Sequence, residues 1–333
     1  MLRDRFNRKM DYLRVSVTDK CNLRCVYCMP PAGVEYKPHD EVLRNEEFVH
    51  FIELFVSMGV RKVRFTGGEP LLRKGFVDML EKTRSLFPDL EMALTTNGVL
   101  LGDYLEDFRR LGLRRLNLSL DSLNREHYRS LTGRDELPRL LDNLDRALAL
   151  DCFDIKINAV LLKEALDDLD LLLDYFKDRK VVLRFIERMP FFADDKKTSF
   201  HSSEELVALL SRKGDLVRSH GIDTNVAVMY ELLYRESYPM KIGVIPPITH
   251  KFCDRCNRLR LTCDGMLKTC LHSREECDLK TPYRMDAGDD ILRSLIRKAV
   301  SEKVKEHRLE CAFNENQDCC SLINSRSMSG IGG

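Results

Sequence analysis

What most restricts the fold of this chain is an alternation of short strand-like segments and longer helix-like ones. Tyr12–Val17, Lys62–Thr66, Met92–Thr96, Arg115–Leu120, Asp154–Leu161 and Val181–Glu187 read as strands. Glu46–Met58, Phe76–Leu86, Tyr104–Leu111, Leu137–Leu150 and Leu166–Phe176 carry the helical period between them. Alternation of this kind implies a parallel α/β sheet with crossover helices. Six units suit an open or partial barrel better than a complete eight-unit one. A doubly wound sheet is the alternative.

The strands share a second regularity. One parity is apolar: Leu13, Val15 and Val17, then Val63 and Phe65, then Ile155, Ile157 and Ala159. The other is polar: Arg14, Ser16 and Thr18, then Lys62, Arg64 and Thr66, then Lys156 and Asn158, with Asn117, Ser119 and Asp121 sharing a parity in between. A small closed barrel fills its lumen with branched apolar side chains. Here the apolar parity belongs under the helices and the polar one faces inward, which describes a hollow site for a polar ligand. For any single strand an exposed edge with a solvated face explains as much, but the recurrence argues for the lumen. Arg14, Arg64, Lys156 and Arg184 recur on these strands. Guanidinium forks match phosphate oxygens, and lysine adds a point charge. The expected occupant is a multiply charged anion such as a triphosphate, although each cation taken alone fits an ordinary salt bridge.

The chain has 12 cysteines, and their spacing decides their use. Cys21, Cys25 and Cys28 form C-x3-C-x2-C, with no fourth Cys or His nearby. Cys253, Cys256 and Cys270 form C-x2-C-x13-C. A structural zinc closes with four ligands. Three soft thiolates suit an iron–sulfur cluster with one iron left open. Cys263 lies between Cys256 and Cys270, either as a fourth ligand or as a packed strand residue sharing parity with Leu259 and Leu261. The Gly67-Gly68 pair directly after a strand permits close backbone approach by a ligand.

After Pro190 the composition shifts. Ala193–Thr198 reads as a polar linker, and Ser202-Ser203-Glu204-Glu205 as a capping box for a following helix. Hairpin-like segments, the second cysteine group and a helix near Asp289–Glu306 come next. The domain boundary is set at 190, dividing 1–190 from 191–333. Lys plus Arg total 54 against 53 for Asp plus Glu, which disfavours a dedicated nucleic-acid binder. No apolar run approaches the roughly 18 residues of a membrane span, and the charged N-terminus has no signal-peptide core. A cytoplasmic protein without a disulfide framework is expected.

CNLRCVYC at 21–28 and TGGEP at 66–70 resemble the radical S-adenosylmethionine enzymes. LRVSVTDKCNLRCVYCMP, TGGEPLLR, LTTNG, NLSLDS, TGRDELPR, FCDRCNRLRLTCDG and a terminal Gly-Gly narrow this further. The chain closely resembles, over essentially its whole length, the radical cyclase family that acts on GTP at the first step of molybdenum cofactor biosynthesis. The resemblance implies a partial (β/α)6 barrel with a C-terminal cluster-binding region closing its mouth. It implies a lyase with two [4Fe-4S] clusters, one on Cys21, Cys25 and Cys28 and the other on Cys253, Cys256 and Cys270. The first cleaves S-adenosylmethionine to a 5'-deoxyadenosyl radical, which takes the ribose 3' hydrogen of GTP. The carbon radical attacks C8, and reduction gives 3',8-cyclo-7,8-dihydro-GTP. The second contacts the guanine.

By motif, Tyr27, Gly68, Ser119 and Met189 are expected on S-adenosylmethionine. Arg14, Arg64, Thr95, Lys156, Arg184, Arg258 and Arg260 are expected on GTP, with Arg258 and Arg260 also catalytic. Gly332-Gly333 is expected to reach into the site. Cys263 stands where the family's pattern has Ala or Ser. Implied partners are a flavodoxin- or ferredoxin-type electron donor, the cyclic pyranopterin monophosphate synthase that follows, and a second copy in a homodimer. No membrane or nucleic-acid partner is implied. One rival is a peptide-modifying radical enzyme with auxiliary clusters, for which Cys311, Cys319 and Cys320 are poorly spaced. The other is a zinc-stabilised nucleic-acid module.

Overall fold

The structure, a computed structural model, describes residues 1–30, 33–191, 200–219, 226–307 and 326–332. The expected linker Ala193–Thr198, the cysteines at 311, 319 and 320, and Gly333 lie outside the described residues. The first half runs β1 (Tyr12–Ser16), α1 (Asn45–Ser57), β2 (Lys62–Thr66), α2 (Phe76–Leu86), β3 (Glu91–Thr96), α3 (Leu105–Arg110) and β4 (Arg115–Ser119). Next come α4 (Arg125–Thr132), α5 (Leu137–Ala149), β5 (Asp154–Leu161), α6 (Lys163–Asp167), α7 (Leu169–Phe176) and β6 (Val181–Glu187). Strands β1 to β6 pair in sequence order, all parallel.

The apolar parity lies where the pattern placed it. Leu13, Val15, Val63, Phe65, Ile157 and Ala159 have no exposed surface and meet Phe48, Phe51, Phe55, Leu140, Leu144 and Leu172 from the helices. Fully burying one such side chain contributes roughly 1.5–3 kcal/mol. That gain fixes strand register, because a one-residue slip would turn the cations toward the helices.

Two helical details differ from the sequence pattern. Helix α4 was not expected, although Asn124 caps it by accepting from the Glu126 and His127 amides and Gly133 ends it in the left-handed region. Its apolar positions are too few to carry a clear period. The expected helix Leu166–Phe176 is instead two helices meeting at Asp168, which is buried. The Asp168 carboxylate accepts the Ser122 hydroxyl and stands 2.8 Å from His127 Nδ1. These contacts satisfy the carboxylate in its buried position at the junction of the two helices.

The C-terminal part continues the same sheet. It comprises α8 (Ser203–Ser211), β7 (Gly214–Arg218), β8 (Val228–Tyr234), β9 (Tyr238–Ile245), β10 (Arg258–Leu261), β11 (Met266–Lys268) and β12 (Cys277–Asp278). Helices α9 (Lys280–Arg284), α10 (Asp289–Ser301) and α11 (Met328–Ile331) complete it. Ser202 caps α8, its hydroxyl accepting from the Glu205 amide. The order across the sheet is β12-β11-β10-β1-β2-β3-β4-β5-β6-β9-β8-β7. β10 joins β1 and β9 joins β6, both in parallel. The six-unit half-barrel is therefore widened on both edges by strands from beyond residue 190.

Candidate active site

Register brings the inward side chains into layers. Arg14 on β1 stands opposite Arg64 on β2 and Arg260 on β10. One step toward the strand N-termini, Tyr12 stands opposite Lys62 and Arg258. Across the lumen Thr95, Asn117 and Lys156 align, and Ser119, Asn158, Arg184 and Gly243 form a further row. Gly243 is there for space, since a Cβ would stand 2.8 Å from Arg184 Cγ. Every expected GTP-site cation thus projects from the inward parity of one continuous sheet.

The charges act on one another. Burial, with Arg64 and Arg258, brings the Arg14 pKa down to about 10 against a partial opposing effect of Tyr12. Burial, with Arg64 and Arg14, brings Arg184 to about 10. Burial, with Arg184, Lys62 and Arg64, brings Lys156 to about 8. Arg260 is depressed furthest, by burial and then by Arg14 and Arg258. Burial alone would push the Tyr12 phenol up, but Arg64, Arg14 and Lys62 outweigh it and bring it to about 7. Its oxygen accepts from Arg64 Nε at 2.6 Å, and Lys62 Nζ lies 5.1 Å from the ring centroid.

Buried like charges cost several kcal/mol each unless an opposite charge joins them. Arg64 spends one nitrogen on the Leu94 carbonyl at 2.7 Å and approaches Thr95 Oγ1 at 3.4 Å. Arg184 Nε and Nη2 and Asn158 Oδ1 are buried with no hydrogen-bond partner among the described residues. A cavity of mutually repelling cations and unsatisfied donors has the chemistry of a polyanion site.

Cys21, Cys25 and Cys28 lie on the loop after β1, all partly buried free thiols. Burial pushes the Cys25 thiol up, and Cys28 and Cys21 add to the rise, so the three are near neighbours. Burial also brings Cys21 to about 11. Cys253, Cys256 and Cys270 converge likewise, the latter two raising Cys253 after burial. At Cys256, Arg258 and Lys303 outweigh burial and bring the thiol to about 7. Among the described residues no three His, Cys, Asp or Glu side chains are placed to hold one metal ion. Thiolates serving different irons of one cluster need not crowd around a single point. Three thiols at each place, a soft donor set, fit a cluster with one open iron.

Cys263 is 1% exposed and packs in the main hydrophobic core. Burial, with Asp19 and Asp264, pushes its thiol up to about 12. Cys263→Ala is therefore expected to keep full iron content and GTP turnover within about twofold, read by iron analysis and product assay. A loss of about four irons would make Cys263 a ligand.

The remaining expected residues are distributed as follows. The Tyr27 hydroxyl donates to Asp121 Oδ2 at 2.6 Å, and its ring packs with Leu131 and Leu162. Ser119 ends β4. Met189 Sδ stands 3.3 Å from His272 Nε2, beside the second cysteine group. The Arg258 guanidinium lies 5.0 Å from the Phe252 ring centroid. Gly67 and Gly68 also lie against the chain's own backbone. A Cβ on either would collide with backbone of the 18–20 segment, and the Gly68 and Glu69 amides donate to the Thr18 and Lys20 carbonyls at 2.8 Å. Their close approach is to the first cysteine loop.

Sequence reasoning passed over Glu69 and Tyr12, and left Lys62 on the inward parity without a site role. Glu69 is wholly buried and accepts from the Leu71 amide, Thr96 Oγ1 and the Asn97 amide, locking the ends of β2 and β3 together. Burial raises its pKa to about 7 against those bonds. Tyr12 and Lys62 sit two residues before Arg14 and Arg64. Their parity was the available signal.

The comparisons agree with this geometry. Residues 15–176 match the model of the Radical SAM superfamily, and residues 181–309 match Molybdenum Cofactor Synthesis C. A GTP 3',8-cyclase of Clostridium botulinum (strain Langeland) is 40% identical, the match covering 92% of this chain and 94% of that protein. GTP 3',8-cyclases of Desulforamulus reducens and Listeria monocytogenes are 39% and 36% identical, with at least 99% of each chain covered. Among solved structures, anSMEcpe with bound AdoMet has a TM-score of 0.61 at 15% identity, covering 93% of this chain and 86% of that one. Streptococcus suis SuiB bound to S-adenosylmethionine has 0.59 at 15%, covering 87% and 68%. These two share the fold. Near-complete coverage by the cyclases, on a half-barrel with two three-thiol groups, shows that the chain belongs to the GTP 3',8-cyclase family of radical SAM enzymes.

Proposed function

We propose that this protein converts GTP to 3',8-cyclo-7,8-dihydro-GTP, the first step of molybdenum cofactor biosynthesis, using S-adenosylmethionine and two [4Fe-4S] clusters. The observation that carries the reading is the inward set of Arg14, Arg64, Lys156, Arg184, Arg258 and Arg260, with buried Arg184 nitrogens left unsatisfied. Residues 1–190 hold the first cluster on Cys21, Cys25 and Cys28. Residues 191–333 hold the second on Cys253, Cys256 and Cys270. When bound, the first supplies the electron that cleaves S-adenosylmethionine, and the second supplies an open iron to the guanine.

The chain's own residues bind, orient and exclude water. Arg14, Arg64, Lys156 and Arg184 neutralise the triphosphate, and Thr95 fixes its approach. Their charges are held in place before the ligand arrives, so little reorganisation accompanies reaction. Arg258 and Arg260, two residues apart on β10, hold the nucleoside near the second cluster. Tyr27, Gly68, Ser119 and Met189 border S-adenosylmethionine.

The decisive experiment is anaerobic incubation with S-adenosylmethionine, reductant and GTP. Release of 5'-deoxyadenosine with a GTP-derived pterin precursor supports the reading. Release of 5'-deoxyadenosine alone defeats it.

Binding should also respond to pH with a defined sign. In the empty lumen Tyr12 titrates near 7 and Lys156 near 8. A bound triphosphate favours the protonated form of both, so GTP binding takes up protons as pH rises through this window. Affinity should fall above pH 7, by up to about tenfold per pH unit for each group involved. Arg64, Arg14, Arg184, Lys62 and Arg115 face these two groups, and Glu91 pairs with Lys62 and Arg115. Calorimetric titration between pH 6.5 and 9.5 reads the slope. Lys156→Arg should remove the part above pH 8 and Tyr12→Phe the part near 7. A flat profile in the parent would exclude both groups as the linked sites.

Among the described residues no helix is long and apolar enough to cross a membrane. We place the protein in the cytoplasm, where its thiols stay reduced. On the family's pattern it is assigned a flavodoxin- or ferredoxin-type donor, a homodimeric state and delivery of product to cyclic pyranopterin monophosphate synthase.

A further inference from the structure

The last described residues are fastened at several places. Arg326 Nη1 donates to Asp264 Oδ1 and Oδ2 at 2.9 and 2.8 Å, and Nη2 meets Glu276 Oε2 at 2.6 Å. The clasp is largely buried, with side-chain exposures of 19%, 7% and 12% for Arg326, Asp264 and Glu276. Lys37 Nζ lies 3.1 Å from Asp264, and Lys268 Nζ 3.0 Å from Glu276. Two carboxylates therefore meet three cations, one of them on the loop beyond the first cysteine group. Burial acts against the charge of Asp264, yet its hydroxyl and cation partners hold it below the usual carboxylate range.

From Arg326 the chain passes directly into the site. The Met328 amide donates to the Cys28 carbonyl at 3.3 Å, and Ile331 has no exposed surface. Gly332 sits in the left-handed region against β1 and β2. A Cβ there would be 2.6 Å from Thr66 Cγ2 and 3.0 Å from Ser16 Cβ. Its carbonyl accepts a hydrogen bond from Arg260 Nη1. The span from Arg326 to Gly332 thus links a surface-proximal charge clasp, the backbone of the first cysteine loop and a lumen arginine.

We propose that Arg326 is a positioning residue: held by Asp264 and Glu276, it seats α11 so that the Gly332 carbonyl aims Arg260 into the lumen. The inference rests on the reading of the lumen as the GTP site. α11 is a single turn of four residues, too short to hold its place by helix formation. A planar guanidinium clasped by two carboxylates fixes direction as well as distance, which a lysine point charge cannot reproduce. Loss of the clasp should leave the first cluster able to cleave S-adenosylmethionine while Arg260 is poorly aimed, so that cleavage and cyclisation come apart.

The test compares holoenzyme and Arg326→Gln for cyclic product formed per 5'-deoxyadenosine, with iron content and melting temperature measured alongside. The product ratio should fall at least tenfold at unchanged iron content, with a raised KM for GTP. Arg326→Lys should recover part of the ratio. Asp264→Asn should lower the ratio in the same direction, and the double variant with Arg326→Gln should lower it no further than the more severe single change. An unchanged ratio in Arg326→Gln overturns the proposal. So does a loss of product that merely tracks lost iron or lost folded protein, with no recovery in the lysine variant. If the parent enzyme itself makes no cyclic product, it is the functional reading that fails.

Discussion

Cys28→Ala should abolish 5'-deoxyadenosine formation altogether, whereas Cys270→Ala should leave its formation in place and abolish only the GTP-derived product. Each change should remove about four of some eight irons per chain. The asymmetry follows from the two groups' positions. Cys28 lies on the loop that continues β1 and is tied to α11 through its carbonyl. Cys270 follows β11, which pairs with the strand that carries Arg258 and Arg260. On the proposed reading, a site that cleaves S-adenosylmethionine and a site that holds guanine are carried by different stretches of chain, so each should fail alone. Iron analysis, nucleoside chromatography and product assay on the same anaerobic preparations read all three quantities. Equal loss of 5'-deoxyadenosine in both variants would mean that the clusters form one functional unit.

Arg260→Met should lower kcat/KM for GTP by about 10²–10³-fold, some 3–4 kcal/mol, the scale of removing a preorganised charge. It should do so with iron content intact. Arg260 is 5% exposed and faces Arg14 and Arg258, so the empty protein carries it against its own electrostatics. The melting temperature without ligand should therefore hold or rise, while the stabilisation by saturating GTP shrinks. Thermal melts with and without GTP separate these effects. A collapsed melting temperature together with lost iron would make Arg260 a structural residue.

Much of this architecture was legible because burial enforces it. The strand positions from Tyr12 to Glu187 match the residue pattern within about one residue, since one parity had to reach the helices and the other had to avoid them. The same parity exposed Arg14, Arg64, Lys156 and Arg184 as a set. What remained hidden depends on contacts between distant segments. Nothing local distinguishes Gly243 from a turn glycine, because its role is to leave room for Arg184 across the sheet. Tyr12 looks like an ordinary strand aromatic until Arg64, Arg14 and Lys62 surround it. Gly67 and Gly68 announced a close approach but not its partner, which is the chain's own backbone after β1. Nor could Asp264, Glu276 and Arg326 be grouped from their spacing, since the salt bridges join segments far apart in sequence.

The widening of the sheet bears on how the chain is made. β10 covers the free edge of β1 and β9 covers that of β6, and both strands lie beyond residue 190. A ribosome that has released only the first six units has produced a sheet with two bare parallel edges, each offering unpaired amides and carbonyls to any passing strand. A fragment ending at residue 190 should consequently self-associate. The later segment is then an intramolecular chaperone for the earlier one, and its arrival rate, set by translation, becomes a determinant of yield.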